Sequence, residues 1–524
     1  MVFGIAMCSV VVQAQTPTIK WWFDTDDSSF GQSAMEDLNG DGNQDVVFGC
    51  YRNDSMVYAL NGNDGSLLWK FNAAGSGEGC NDVAMLIYDV DADGSKEVIV
   101  PSSCNPKTFC FNGADGTVKW AANTSGSDSP PVIADLNQDG VPDVMHGEFG
   151  GSVRSLNAQT GAQNWHFYVD ANSWIQTAPT TVDLDGNGQM DFVVATWHFS
   201  NQDAVYAYNG ADNSLMWSYP LTDVVYHGTA VADLDNNGTP ELVIGDYSGT
   251  LSCLNSDGTL KWSYYAGAYV GSPASIGDID GDGMCEIVFC SYYRIIALNH
   301  DGSLLWNYDL SGISTSFRGV ALVDMNNDTK PDPVFGTSNG EVIALNGING
   351  SLLWSVDLQS HYGNVFEIDH APVIGDMDQD GFLDVFVVGG YTEYPNFSVN
   401  YGRGYALSTS QPATPGNEWK MFQYDTQRRG SLCSYSSNGI VENSGAKVTV
   451  YPNPLVAGTE LKINAESTFI TGIKITDVYG RQILQKPVAN QTETNISVNA
   501  FAVGVYFVEV QMAETSVIRK IVVE

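Results

Sequence analysis

Short apolar runs, β-branched or aromatic, alternate along most of the chain with clusters of Asn, Asp and Gly. DVVFG (45 to 49) and VYALN (57 to 61) read as strands, and SLLWKF (66 to 71) alternates apolar and polar positions as a half-buried strand does. YALNGNDGSLLWKF (58 to 71) sets an Asn/Asp/Gly turn between two such strands, which predicts a hairpin. Similar hairpins follow, among them CFNGADGTVKWAA (110 to 122) and ALNHDGSLLWNY (297 to 308). Their second strands end at Trp69, Trp120, Trp165, Trp217, Trp262, Trp306 or Trp354.

Ahead of each hairpin lies a polar loop. DLNGDGNQDVVFG (37 to 49) puts side-chain oxygens at alternate positions, with Gly42 sixth for a sharp turn. Ca²⁺ takes six to eight oxygen ligands at such spacings, but the helix-loop-helix form needs a Glu at position 12, where this chain has Phe48. The loop therefore joins two strands. It recurs with starts at 37, 89, 135, 183, 233, 278, 324 and 376.

Positions 1, 3, 5, 7 (through its carbonyl) and 9 are the candidate calcium ligands. They are Asp37, Asn39, Asp41, Asn43 and Asp45 in the first loop, then Asp89, Asp91, Asp93, Ser95 and Glu97, and Asp135, Asn137, Asp139, Val141 and Asp143. The fourth and fifth loops offer Asp183, Asp185, Asn187, Gln189 and Asp191, and Asp233, Asp235, Asn237, Thr239 and Glu241. The last three offer Asp278, Asp280, Asp282, Met284 and Glu286; Asp324, Asn326, Asp328, Lys330 and Asp332; and Asp376, Asp378, Asp380, Phe382 and Asp384. Thr329 replaces glycine in the seventh, which predicts the weakest site.

A repeat of this length holds four strands: A entering the loop, B leaving it, then C and D of the hairpin. Radially repeated four-stranded sheets define an all-β fold, a β-propeller over residues 15–430, with eight blades expected and seven the alternative. TIKWWF (18 to 23) looks like a D strand without its own A, B and C, and would close the ring by completing the last blade. A strand at Trp419 competes for that place.

These loops, with lead-ins such as PVIADLNQDG and a trailing FG, resemble FG-GAP or VCBS repeats, the calcium-loop propeller repeats also found in integrin α chains. The Trp-ended hairpins are similar to quinoprotein-type blades, and EWKMFQYDTQRRG (418 to 430) to a segment that often closes bacterial propellers, with Lys420 in place of its proline. The resemblance implies structural calcium, up to eight ions. It specifies fold better than function.

Residues 431–445, rich in Ser, Asn and Gly, read as a linker, and the alternating strands of residues 446–524 as a small β-sandwich. That tail resembles the type A sorting domain of type IX secretion, at Tyr451, Pro452, Asn453 and Pro454, at Asp477, Tyr479, Gly480 and Arg481, at Gly504, Val505 and Tyr506, and at Arg519 and Lys520. The resemblance implies recognition by the type IX machinery and a secreted or outer-surface location in a Gram-negative bacterium. VFGIAMCSVVV followed by Val12-Gln13-Ala14 reads as a signal peptide over residues 1–14, its basic leader missing as in a clipped start. The run is too short to span a bilayer, so no transmembrane segment is expected.

The formal charge of −39 lies almost wholly outside the tail: residues 441 to 524 hold 7 basic and 8 acidic side chains, leaving about −38 for the rest. Most of the excess is loop carboxylate, which bound cations would offset. Without a basic patch, nucleic acid is excluded as a partner. Of nine cysteines, Cys104 and Cys110 flank an expected turn and could pair, while Cys253, Cys285 and Cys290 read as buried thiols.

Strand order puts the calcium loops and C to D turns on one face, and the B to C and D to A segments on the other. The second face gathers Tyr51, Arg52, Trp174, Trp197, Tyr226, Tyr292, Tyr293 and Phe317, with His361 and Tyr362 nearby. Such an aromatic rim predicts a ligand site for an extracellular glycan or a surface protein. The alternative is a polysaccharide lyase like the rhamnogalacturonan lyases, acting by β-elimination with His198, His227, Arg294 and Arg318 as weak catalytic candidates, and His146, His370 and Tyr293 behind them. No nucleophile elbow, zinc pattern or phosphate loop is present.

Overall fold

Every polar loop joins a three-residue strand A to a buried strand B. In the computed structural model the A strands are Ala34–Glu36, Leu86–Tyr88, Val132–Ala134, Thr180–Val182, Ala230–Ala232, Ser275–Gly277, Ala321–Val323 and Val373–Gly375. Each pairs antiparallel with its B strand, B with C, and C with D, giving eight four-stranded sheets. The structure describes residues 15–75, 80–81, 83–199, 202–312, 314–413, 420–421, 448–451, 460–465, 469–477, 482–497, 501, 504–512 and 516–523. Residues 1–14, expected to be a signal peptide, the linker, most of 418–430 and the tail residues Pro452, Asn453, Pro454, Tyr479, Gly480 and Arg481 lie outside these.

Two compact units divide the chain, Met1–Ser437 and Asn438–Glu524. In the first, A strands of neighbouring blades lie side by side, and that of blade eight lies against that of blade one. This is an eight-bladed β-propeller. Burial falls outward: the B strand Asp45–Gly49 is buried throughout, whereas the D strand Leu67–Asn72 buries only Trp69 fully. Ala84, Ala178 and Ala371, from blades two, four and eight, pack together just ahead of their A strands, so apolar side chains meet across the axis.

The ring is closed by the N-terminal strand. Thr18–Thr25 pairs with the C strand Tyr401–Pro412 from Thr18↔Ser408 to Thr25↔Gly402, and so supplies strand D of blade eight. Trp419 lies outside the described residues, but the neighbouring Lys420 accepts a hydrogen bond at its carbonyl from the N–H of Ile374, and Met421 is buried in the core between blades eight and one.

The tryptophans join each blade to the next. The indole N–H of Trp69 donates to the Gly113 carbonyl at 2.6 Å, Trp120 to Ala158 at 2.8 Å, Trp306 to Gly347 at 2.7 Å and Trp21 to Gly62 at 2.8 Å. Trp217 and Trp262 do the same with Ser256 and His300. The acceptors sit in the C to D turn of the following blade, whose glycine packs under the ring. Blade four has Asn213 in that left-handed position instead, and Trp165 of blade three stacks on Phe192 at 5.4 Å without such a bond.

The cysteine pairing anticipated from sequence is corrected here. Cys110 is buried in strand C opposite Trp120, while the Cys104 Sγ lies 3.0 Å from the Sγ of Cys80. Cys253 and Cys290 are buried thiols, whereas Cys285 is disulfide-bonded.

The second unit has a three-stranded sheet (Val448–Tyr451, Glu460–Ala465, Glu493–Ser497) and a four-stranded sheet (Gln482–Gln491, Ile470–Asp477, Gly504–Met512, Ser516–Val523). Leu461 and Ile463 of the first share one core with Ile473, Ile475, Val508, Val510 and Ile521 of the second, so the two sheets form a sandwich.

Candidate functional site: metal loops and an aromatic belt

All eight loops are wound the same way. The position 1 aspartate accepts the backbone N–H of position 6, as Asp37 does from Gly42 at 3.0 Å, Asp183 from Gly188 at 2.8 Å and Asp376 from Gly381 at 3.0 Å. Position 9 accepts the N–H of position 2: Leu38 donates to Asp45 at 3.1 Å, Leu234 to Glu241 at 2.8 Å and Ile279 to Glu286 at 3.0 Å. Blade seven keeps this geometry with Thr329, at φ 73°, donating to Asp324 at 2.7 Å.

This winding turns carboxylates toward one another. Oxygens of Asp183, Asp185 and Asp191 lie within 4.8 Å of each other, as do those of Asp278, Asp280 and Asp282. Position 9 is the buried member. Burial, added to by the loop carboxylates, pushes Asp45 and Asp143 up to about 6 and Glu286 and Asp332 up to about 8. The Glu286 Oε1 is fully buried and accepts no hydrogen bond. A hard dication ligated by oxygen fits this donor set.

In blades two, five and eight a lysine already reaches the same oxygens. Lys119 Nζ lies 2.7 Å from Asp91 and 2.7 Å from Glu97, Lys261 Nζ 2.6 Å from Asp235 and 2.7 Å from Glu241, and Lys20 Nζ 2.6 Å from Asp378 and 2.8 Å from Asp384.

The B to C and D to A segments carry the aromatic residues. Trp197 meets Tyr226 and Tyr247 with ring centroids 5.8 and 5.5 Å apart. Tyr247 stacks on Tyr269 and touches Phe317, while Tyr292 contacts Tyr269, Tyr293 and Phe317. Tyr293 and Tyr269 are about half exposed, at 50% and 48%. Tyr247 and Tyr269 were not singled out from sequence, although each lies in the same kind of segment as the residues that were.

Arg318 joins this patch to a second. Its guanidinium lies 5.2 Å from the Tyr226 ring centre and 5.4 Å from that of Phe30, and donates to the Phe30 carbonyl. Phe30 in turn meets Tyr51, which packs against Phe397 beside Arg52. The result is one belt from Phe397 to Tyr293, built from blades one, four, five, six, seven and eight. Trp174 pairs with Trp197 of the belt across a short two-stranded ribbon (Ser173–Trp174 with Trp197–His198), and its ring lies between Phe149 and Phe199 at a cleft of about 580 Å³ also lined by His198.

The four catalytic candidates do not converge. Arg294 begins strand C of blade six and pairs with exposed Asp309 at 2.5 Å. His198 is buried against Asp170, 3.2 Å away. His227 sits beside Arg318, and burial, then that positive charge, holds its pKa well below the ordinary value. His146 bonds to Thr108 and Gly147, and the His370 ring nitrogen Nε2 accepts the Val388 N–H, so both serve the core. His361 lies in the short helix Leu358–Tyr362 against Trp22, outside the belt.

Comparison with known families agrees with this architecture. Residues 37–100, 89–146 and 183–244 match the FG-GAP-like repeat, and residues 449–524 match the secretion system C-terminal sorting domain. The chain thus carries FG-GAP-like propeller repeats followed by a sorting domain, and is a secreted or cell-surface protein. Residues 238–420 also match the model described as outer membrane protein assembly factor BamB. No curated protein matches.

Among solved structures, the V. cholerae biofilm matrix protein Bap1 aligns with TM-score 0.57 at 16% identity, over 80% of this chain and 96% of that one. A quinohemoprotein alcohol dehydrogenase from Comamonas testosteroni aligns with TM-score 0.56 at 12% identity, over 78% and 79%. Saccharomyces cerevisiae Sqt1 aligns with TM-score 0.55 at 13% identity, over 75% and 99%. At these identities the likeness is one of fold.

Proposed function

We propose that this protein is a calcium-stabilised β-propeller, delivered to the surface or surroundings of a Gram-negative cell by type IX secretion, that binds an extracellular glycan on its aromatic belt. The observation that carries the reading is the belt itself. Rings from six blades lie on the face opposite the metal loops, and aromatic faces cover the apolar faces of sugars. A chain of net charge −39 repels polyanions, which favours an uncharged glycan, with Arg52 and Arg318 the cations available to a negative substituent.

Calcium would be held by loop positions 1, 3, 5 and 9 with the carbonyl of position 7, tying strand A to strand B in each blade whose loop takes an ion. Its role is structural, since the loops recur around the ring while the belt does not.

A lyase remains the second reading, on one observation: Arg318 lies beside His227, a cation near a neutral imidazole. The experiment for both is incubation of the full chain, with Ca²⁺, on immobilised neutral and acidic polysaccharides, following retention and the ultraviolet absorbance of unsaturated uronate ends. Retention lost in Trp197→Ala and Tyr292→Ala supports glycan binding. Absorbance growing with time replaces it with the lyase. Neither signal refutes both and directs the search to protein partners.

A further inference from the structure

The eight loops share a sequence pattern and a winding, yet the residue just before the D-strand tryptophan divides them. It is lysine in blades two, five and eight, as Lys119-Trp120, Lys261-Trp262 and Lys20-Trp21. In blades one, three, four, six and seven it is Leu68, Asn164, Met216, Leu305 and Leu353. While the tryptophan packs between blades, the lysine before it reaches the loop of its own blade, as Asn164 does in blade three.

Each lysine places its ammonium between the carboxylates of positions 3 and 9, at 2.6 to 2.8 Å from both. The position 9 member is almost fully buried, with side-chain exposure of 2% for Glu97, 1% for Glu241 and 0% for Asp384. Ca²⁺ ligands of this type stand about 2.3–2.6 Å from the ion, so an ion on these oxygens would share the space held by the ammonium. No lysine enters blade six, and Glu286 Oε1 is buried there without a donor; in blades one, three, four and seven the matching oxygen of position 9 accepts from Gly62, Asn164, Gly210 and Gly347, neutral donors that leave the carboxylate charge unbalanced. Lys330 of blade seven reaches loop six only at the backbone carbonyl of Asp280, 2.7 Å away.

We infer that the loops of blades two, five and eight are closed by the chain's own lysines, and that the propeller takes up divalent ions only in the remaining five. Three of the eight blades thus carry a covalently attached cation. A tethered ammonium cannot be diluted or chelated away, so these blades keep their A to B connection when calcium is scarce.

The inference rests on the calcium reading of the loops. Its test is the number of ions per chain, measured by mass spectrometry of metals after equilibrium dialysis of the full-length protein against Ca²⁺. The wild type is expected to hold between one and five, with Lys119→Met and Lys261→Met each gaining one. The reciprocal Leu305→Lys, which adds the ammonium to blade six, is expected to lose one, and it decides the matter if the lysine variants fail to fold. More than five ions in the wild type, or counts unmoved by the substitutions, overturns the inference and leaves the calcium reading standing. No bound ion in the wild type overturns both.

Discussion

The indole of Trp306 covers the α-carbon of Gly350 so closely that a methyl group there would stand 2.7 Å from the ring. Gly350 is also in the left-handed region, at φ 69°. Gly350→Ala therefore combines backbone strain with overpacking and is expected to cost about 2–4 kcal/mol, read from chemical denaturation. A cost below about 0.5 kcal/mol, the range of a neutral surface change, would show that the contact is loose.

Trp21 and Trp165 test the indole hydrogen bond separately from ring packing. Trp21 donates to Gly62 across the closure between blades eight and one, while Trp165 has stacking partners and no carbonyl acceptor. Trp21→Phe is expected to destabilise more than Trp165→Phe by about 1 kcal/mol. Equal effects would reduce the tryptophans to apolar filler.

Blade seven carries a threonine where the loop demands positive φ, and Thr329 sits at 73°. A β-branched residue is strained there. Thr329→Gly should stabilise by about 1 kcal/mol, seen as a rise in Tm, because relief of strain outweighs the added freedom of the unfolded chain. A fall in Tm would mean that the threonine side chain contributes more than its backbone costs.

Chelation should act on the loops and spare the tail. With EDTA the Tm of the propeller is expected to fall by several degrees, in keeping with loss of ligands bound only by the folded state. An unchanged melting curve would remove calcium from the structural account.

Glu148 gives the acid limb of stability. Burial alone would raise its pKa, but the Arg154 guanidinium at 2.6 Å, the neighbouring His146, and donors from Ser125 and Ser152 hold it at about 2, below the ordinary 4.5. Because the folded value is the lower one, the stabilisation is complete above about pH 4.5 and is lost as pH falls toward 2. Glu148→Gln is expected to cost about 2–3 kcal/mol at pH 7 and little near pH 2. An equal loss at both pH values would show that shape, not charge, matters at this position.

How much of this could be read from sequence depends on periodicity. Aspartates at alternate positions, the hairpin glycine and the tryptophan recur, so blades, loops and the closing role of residues 18–25 were legible. The Lys-Trp pairs at 20, 119 and 261 were visible too, but their meaning needs the sheet edge that brings strand D back to the loop. Arg318 and Phe30, 288 residues apart, meet only because the ring closes. Arg294 was misplaced for a local reason: the turn before it is so tight, with Tyr292 at φ 51°, that it begins strand C and faces solvent.

The pairing of Thr18 with Ser408 also has a bearing on time. Thr18–Thr25 precedes every other strand of the eight blades in the chain, yet it is the last of them to find its partner, since its place exists only after nearly all the blades have been made. Until then, strand C of blade eight shows an open edge and Trp21 and Trp22 have no shelter, the kind of surface that invites pairing with another chain. Closing the ring is thus a contact of very long sequence separation, whose loop-closure entropy must be met before the pairing rewards it.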